Sequence, residues 1–481
     1  MAKVAIVWFR NDRRLADNPA LLAAAERADH VVPLFILEDD RSAAWRHGGG
    51  SRWWLHHSLA ASDAALRRLG SRLILRRGPA DEAVAAVARE TGATAVYWNR
   101  RYDRDGRAID MRLKSGLRSQ GIEAESFNAA LLFEPWTLKT KAGGPFKVYT
   151  PFYKACLAMP APGAPSPAPR RLAPAEAWPS SESLDAWELL PTAPDWAGGL
   201  RDAWTPGETA ALDRLASFLD TQLDDYTRRR DRPDVDGTSR LSPHLANGEI
   251  GPRQIWHATR LRADSRNGKT GAEKFLSEVI WREFAHHLLY HHESLPEANF
   301  QPAFDAFPWR DDPDALRAWQ RGRTGIPIVD AGMRQLWQTG WMHNRVRMIV
   351  GSFLVKNLLQ HWRHGEDWFW DTLVDADLAN NAFGWQWIAG SGADAAPYFR
   401  VFNPVLQGER FDPDGDYVRT YVPELARLPE SVIHKPWTAD NDTLKQAGVA
   451  IGKTYPAPIV DLAASRQRAL DAFTAIKRSE G

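Results

Sequence analysis

Five runs of apolar residues punctuate the first 130 positions: Val4-Ala5-Ile6-Val7, Val31 to Leu37, Leu73-Ile74-Leu75, Ala95-Val96-Tyr97-Trp98 and the weaker Ile122 to Phe127. Runs without polar alternation predict strands covered on both faces. The segments between them are amphipathic with the period of an α-helix. Asn18 followed by Pro19 is an N-cap with proline at the first helical position, opening a helix through Ala28. A second helix is predicted from Arg52 to Leu69, with Leu55, Leu59, Leu66 and Leu69 inward and Gly70 closing it. Strands alternating with helices predict a doubly wound α/β domain with a parallel sheet over residues 1–130.

Seven prolines between positions 160 and 179, set among alanines and serines, exclude regular helix or central strand there. Residues 131–208 therefore read as an interdomain linker. Beyond 208 the apolar period is 3.6 almost throughout. Helices are predicted over 209–222, 252–262, 272–292, 313–321, 328–339 and 343–363, making 209–481 an all-helical domain.

At 481 residues the chain can bury two separate cores. A formal net charge of +1 announces no nucleic-acid partner, so any basic surface must be local. Arg228, Arg229, Arg230, Arg232 and Arg240 fall within thirteen positions, but charge alone reads such runs as solvated faces. One cysteine, Cys156, excludes an intramolecular disulfide, a cysteine-based zinc site and a protein-held iron–sulfur cluster. No apolar leader and no 18-residue apolar run appear, which predicts a soluble, cytoplasmic protein with no membrane partner. No GxGxxG and no Walker A lysine loop is present, so a dinucleotide or nucleoside triphosphate held in the usual way is not supported. Many of the 22 tryptophans belong in cores, yet that number brings stacking and electron hopping into consideration.

Candidate chemistry concentrates in the helical half. Between Asp375 and Trp387, two acids at i and i+2, adjacent amides and two indoles crowd together, a set that suits the edge and face of a planar polar ring. A satisfied structural loop reads equally well from this segment alone. Glu278, Trp281 and Arg282 share one helix face at i, i+3 and i+4, and Trp341, Asn344, Arg347 and Met348 repeat that spacing. Such faces are poor hydrophobic seams; facing each other they would form a ligand pocket, and otherwise they are exposed faces with helical ion pairs. Thr238-Ser239-Arg240-Leu241-Ser242-Pro243 combines hydroxyls, a guanidinium and an expected N-cap at Ser242, a phosphate cradle or an ordinary cap. His286, His287, His291 and His292 lack an HExxH context and read as helix histidines rather than a metal site.

Assembled in order, these blocks resemble the photolyase/cryptochrome family, and within it the bacterial cyclobutane pyrimidine dimer photolyases. The resemblance runs from Val7-Trp8-Phe9-Arg10-Asn11-Asp12 and Asp17-Asn18-Pro19 to Asp236 through Ser242. It continues through Glu278-Val279-Ile280-Trp281-Arg282-Glu283-Phe284, Trp341-Met342-His343-Asn344-Arg345 and the 375–387 segment. It implies a Rossmann-like antenna domain, a helical domain holding FAD, and UV-damaged DNA as partner. It places Tyr226, Thr238, Ser239, Arg240, Leu241 and Ser242 at the phosphates and ribose. Arg282, Trp341, Asn344, Arg347, Asp375, Asp377 and Asn381 would surround the rings. Asn381 would face flavin N5, and Arg347 would pair with Asp375. Phe275 stands where some relatives have tryptophan. For a flipped-out dimer, Trp281 and Trp387 would be walls, Glu278 and Asn344 hydrogen-bonding groups, Met348 a packing contact, and Arg230 and Arg345 phosphate ligands.

The implied reaction is light-driven: excited reduced FAD donates an electron to the dimer, two ring bonds cleave, and the electron returns. Glu278, Asn344 and Asn381 would be the catalytic residues. Trp385, Trp362 and Trp309 match the family's electron-transfer chain. Asn344, Met348 and Asn381 favour dimer repair over a blue-light photoreceptor of the cryptochrome type, the alternative reading. Asn380-Asn381-Ala382-Phe383-Gly384 resembles the branch close to plant cryptochromes (class III), for which a methenyltetrahydrofolate antenna is expected. A monomer is expected.

Overall fold

The computed structural model describes residues 2–38, 45–265, 269–395 and 399–478. The five apolar runs form β1 (Val4–Phe9), β2 (His30–Leu37), β3 (Ile74–Arg77), β4 (Ala95–Asn99) and β5 (Glu123–Phe127), all parallel in the order β3-β2-β1-β4-β5. Helices α1 (Pro19–Arg27), α2 (Gly49–Arg68), α3 (Ala80–Thr91) and α4 (Arg104–Ser119) join them. Strand alternation divides the core. Ala5, Val7 and Phe9 pack with α1 and α2, while Ile6 and Trp8 pack with α3 and α4. Asn18 caps α1 as expected, its Oδ1 accepting from the Leu21 amide at 3.1 Å.

Residues 131–208 carry the α-helices α5 (Tyr149–Ala158) and α6 (Gly198–Ala203) and a 3-10 turn at Asp185–Trp187, while the proline-rich stretch has neither helix nor strand. The helical half follows with α7 (Glu208–Thr221), α8 (Tyr226–Arg229), α9 (Ser242–Ala246), α10 (Pro252–Ser265) and α11 (Lys269–His291). Next come α12 (Pro313–Gln320), α13 (Pro327–Thr339), α14 (Asn344–Ser352), α15 (Trp362–Thr372) and α16 (Leu378–Ala389).

Three expectations need correction. The single helix over 343–363 is two, with a π-helical turn at Phe353–Asn357 and a break in which Leu359 takes φ +55°. Apolar residues continue through the break, so the period hides it. The segment after Asp377 is the helix α16, buried on several sides and hence without an amphipathic stripe. Ser242 is the first residue of α9 rather than its cap, and its Oγ accepts from the Trp341 indole N–H at 3.1 Å.

The two halves are bolted together through the loop after β1. Arg13 reaches Asn247 Oδ1 at 2.5 Å, and Arg14 donates to the Gly248 carbonyl at 3.1 Å. Asp17 pairs with Arg253 at 2.8 Å, and the Leu15 and Ala16 amides donate to the Glu208 carboxylate. Gly248 has φ +68°, and an added Cβ would collide with the Asn11 carbonyl, so only glycine allows this approach. The first-domain motif blocks thus serve the interface that sets the helical half in place.

Candidate active site

A cavity of about 590 Å³ opens among α8, α9, α11, α14 and α16. Its volume lies in the range of ligand pockets. One end is bounded by Tyr226, Ser239, Leu241 and Ser242. Phe275 joins them, its ring 5.5 Å from that of Tyr226 and perpendicular to it. Thr238 and Arg240 lie outside this lining. Arg240 instead places its guanidinium 4.6 Å from the Trp204 ring and 5.1 Å from the Trp341 ring, and it adopts φ +50°. The Ser242 hydroxyl, acceptor to Trp341, keeps its own proton to donate.

The two faces predicted from spacing do confront each other. Glu278, Trp281 and Arg282 come from α11, while Asn344, Arg345, Arg347 and Met348 come from α14, and all seven reach the cavity. Trp341 enters from the turn before α14. Arg282 is anchored by donating to the Ala130 carbonyl at 2.7 Å. Trp281 stacks on Tyr149 of α5 with centroids 3.5 Å apart and planes 7° off parallel. Phe383 flanks it at 5.9 Å. Tyr149 is not among the residues that spacing singled out, because its partner Trp281 lies far along the chain. Trp387 borders the same cavity, its indole N–H held by the Asp394 carbonyl at 3.0 Å.

The acidic segment supplies the floor. Asp375 pairs with Arg347 at 2.7 Å, while its other oxygen, Oδ1, is buried without a partner. Asp377 caps α16 through the Asn380 amide at 2.9 Å. Burial opposes its ionisation, but His286, Arg282 and the Asn380 N–H overcome this and hold the carboxyl well below the usual range. Asn381 donates to the Glu366 carbonyl at 3.0 Å, leaving its own carbonyl for a cavity ligand. The Glu366 side chain is fully buried and pushed up to about 9 by that burial, so it is neutral and adds no charge beneath Asn381.

Trp385 borders the cavity and lies against Gly365, where a Cβ would enter its ring. Trp362 begins the same helix, α15, three residues before Gly365. Its ring stacks on His361 at 5.5 Å, and His361 contacts Trp309 at 5.0 Å. Trp385 borders the cavity, Trp362 is fully buried and Trp309 is half-buried.

The arginines expected at phosphates are engaged within the protein. Arg230 binds Glu278, and Arg345 binds Asp231 at 3.0 Å. All four histidines from His286 to His292 have protein partners, His292 through an edge-on ring contact with Phe300 at 4.7 Å. His286 bonds the Arg282 carbonyl and lies 3.5 Å from Asp377, His287 accepts from the Phe146 amide, and His291 meets the Pro135 carbonyl. Among the described residues, no group of three or more His, Cys, Asp or Glu stands ready for a metal. No helix there is long and apolar enough to cross a membrane.

Two family models match this chain: "DNA photolyase" over residues 5–170 and "FAD binding domain of DNA photolyase" over 275–475. A deoxyribodipyrimidine photo-lyase of Agrobacterium fabrum is 55% identical over 98% of each chain. Cryptochrome-1 of Arabidopsis thaliana is 40% identical over 98% of this chain and 70% of its own. The crystal structure of a class III photolyase from Agrobacterium tumefaciens superposes with TM-score 0.96 at 54% identity, covering 99% of this chain and 98% of that one. With the cavity, the sheet and both family models in agreement along nearly the whole length, the chain belongs to the photolyase/cryptochrome family.

Proposed function

We propose that this protein is a deoxyribodipyrimidine photo-lyase, which uses light to split cyclobutane pyrimidine dimers in DNA. The observation that carries the reading is a single cavity joining a cofactor end, Tyr226 to Ser242, to an aromatic and polar mouth at Glu278, Trp281, Asn344 and Trp387. FAD fits the donor set: the Ser242 hydroxyl for a phosphate, the free Asp375 Oδ1 for a ring N–H or hydroxyl, and the Asn381 carbonyl near the reactive ring. Reduced FAD supplies, on excitation, the electron that opens the dimer and receives it back.

The protein's own contribution is placement and field. Arg347 beside Asp375 sets a positive charge at the ring edge and favours a reduced, anionic cofactor. Trp281, backed by Tyr149, and Trp387 give a flipped dimer two apolar walls. Glu278 and Asn344 hydrogen-bond its base edges, and Met348 packs beside it. Arg230 and Arg345 take the flanking phosphates, exchanging a carboxylate for a phosphate oxygen. Trp385, Trp362 and Trp309 reload oxidised cofactor with electrons. The photoreceptor alternative is the weaker, because Asn344 and Met348 provide a lesion surface it does not use.

A methenyltetrahydrofolate antenna is proposed from the resemblance of Asn380 to Gly384 to the class III branch, and is checked by the near-ultraviolet absorbance of purified protein. A cytoplasmic monomer completes the proposal. Its shared pocket is tested in darkness: a thymine-dimer oligonucleotide should shift the FAD absorption spectrum, whereas the undamaged strand should not. Equal spectra with both strands would separate lesion from cofactor and favour the photoreceptor.

A further inference from the structure

At the cavity mouth the charges alternate. Asp231 Oδ1 lies 3.0 Å from Arg345 Nη2 and 3.7 Å from Arg230 Nε. Arg230 also binds Glu278, which takes Lys274 Nζ at 2.9 Å. Three cations are thus offset by two carboxylates. Charge is not all that positions the arginines. Arg230 lies 5.6 Å from the Tyr226 ring, and Arg345 lies 4.4 Å from the Phe411 ring with Nη1 3.7 Å from Met348 Sδ. Their side chains are 13% and 18% exposed, against 35% for Asp231. Asp231 is thus more open to water than the two arginines it bridges, which ring contacts hold in place.

We infer that Asp231 is an internal anion that competes with DNA phosphate for Arg230 and Arg345, holding both ready before DNA arrives and easing the repaired strand off afterwards. This deepens the reading above and rests on its assignment of those arginines to flanking phosphates. A carboxylate and a phosphate oxygen are equivalent acceptors for a guanidinium, so a phosphate approaching Arg345 Nη2 or Arg230 Nε competes with Asp231. Lesion DNA offsets that cost with contacts inside the cavity. Once the dimer is split and the bases return to the duplex, those contacts are gone and Asp231 reclaims its partners. Glu278 cannot perform the exchange, because its place is beside the lesion.

The test is equilibrium binding of lesion-bearing and repaired duplexes to FAD-loaded protein across a salt series, with stopped-flow release of the repaired duplex. Asp231→Asn should bind both duplexes several-fold more tightly, steepen the logarithmic salt slope by about one, and release product more slowly. Asp231→Ser should repeat this through an unrelated side chain, and Asp231→Glu should restore the parent slope. Unchanged slope and release in both Asn and Ser variants would overturn the inference. Arg230→Gln and Arg345→Gln distinguish the underlying reading. Each should flatten the slope by about one for both duplexes. If neither does, the phosphate assignment fails and the role of Asp231 falls with it.

Discussion

At the scale of residues, the site depends on charges whose partners are fixed inside the protein. Asp375, with a side chain only 3% exposed, faces Arg347 at 2.7 Å. Arg347→Gln would strand that carboxylate, at a cost of roughly 1–3 kcal/mol. The variant should unfold at lower temperature and purify with less flavin per protein than Asp375→Asn, which removes the charge instead of orphaning it. Flavin absorbance against protein concentration checks this, and equal loading of the two variants would contradict it. Glu278 is held by Arg230 and Lys274 at the mouth rather than at the cofactor end. Glu278→Gln should therefore leave flavin content intact and lower the quantum yield of repair; loss of flavin would place the residue elsewhere.

At the scale of elements, two short helices present the site and both begin on an imidazole. His343 Nδ1 accepts from the Arg345 amide and His361 Nδ1 from the Arg363 amide, each at 3.2 Å. Burial, foremost, pulls both histidines down to about 4. A base with a depressed folded value costs nothing above its unfolded value near 6.5, and its contribution is lost as pH falls from there toward 4. For the deeply buried His343 the loss is on the order of 3 kcal/mol when complete. His343→Asn keeps an acceptor at the cap without a titrating group, so its melting temperature should vary less between pH 7 and 4.5 than the parent's. Identical pH profiles would show that the cap is not what acid disrupts.

Helix α15 also packs Gly365 against Trp385, the indole that begins the proposed electron path. Gly365→Ala should displace that indole, cost about 1–3 kcal/mol and slow photoreduction. Trp385→Phe should nearly abolish photoreduction while sparing repair by enzyme already reduced. Unchanged photoreduction in Trp385→Phe would remove the indole from the path.

At the scale of the molecule, much of the architecture was legible because it follows from local rules. Unbroken apolar runs gave the five parallel strands, and Asn18-Pro19 gave the start of α1. The pocket faces were legible because Glu278, Trp281 and Arg282 are too polar for a seam at their spacing. What stayed hidden depends on partners distant in the chain. Tyr149 stacks on Trp281 from another element, and the left-handed Leu359, whose carbonyl accepts from the Arg310 amide, has no local sequence signal. α16 shows no stripe because neighbours cover it on several sides. The interface around Gly248 likewise emerges only when the two halves meet.

The whole assembly makes sense as a cavity in which cofactor and lesion meet under light. The most direct measurement is anaerobic: the FAD-loaded protein is chemically reduced, mixed with a thymine-dimer oligonucleotide, and followed by thymine absorbance in blue light and in darkness. Recovery in light and none in darkness is the predicted result. No recovery in light, with reduced FAD bound, would contradict repair at this site.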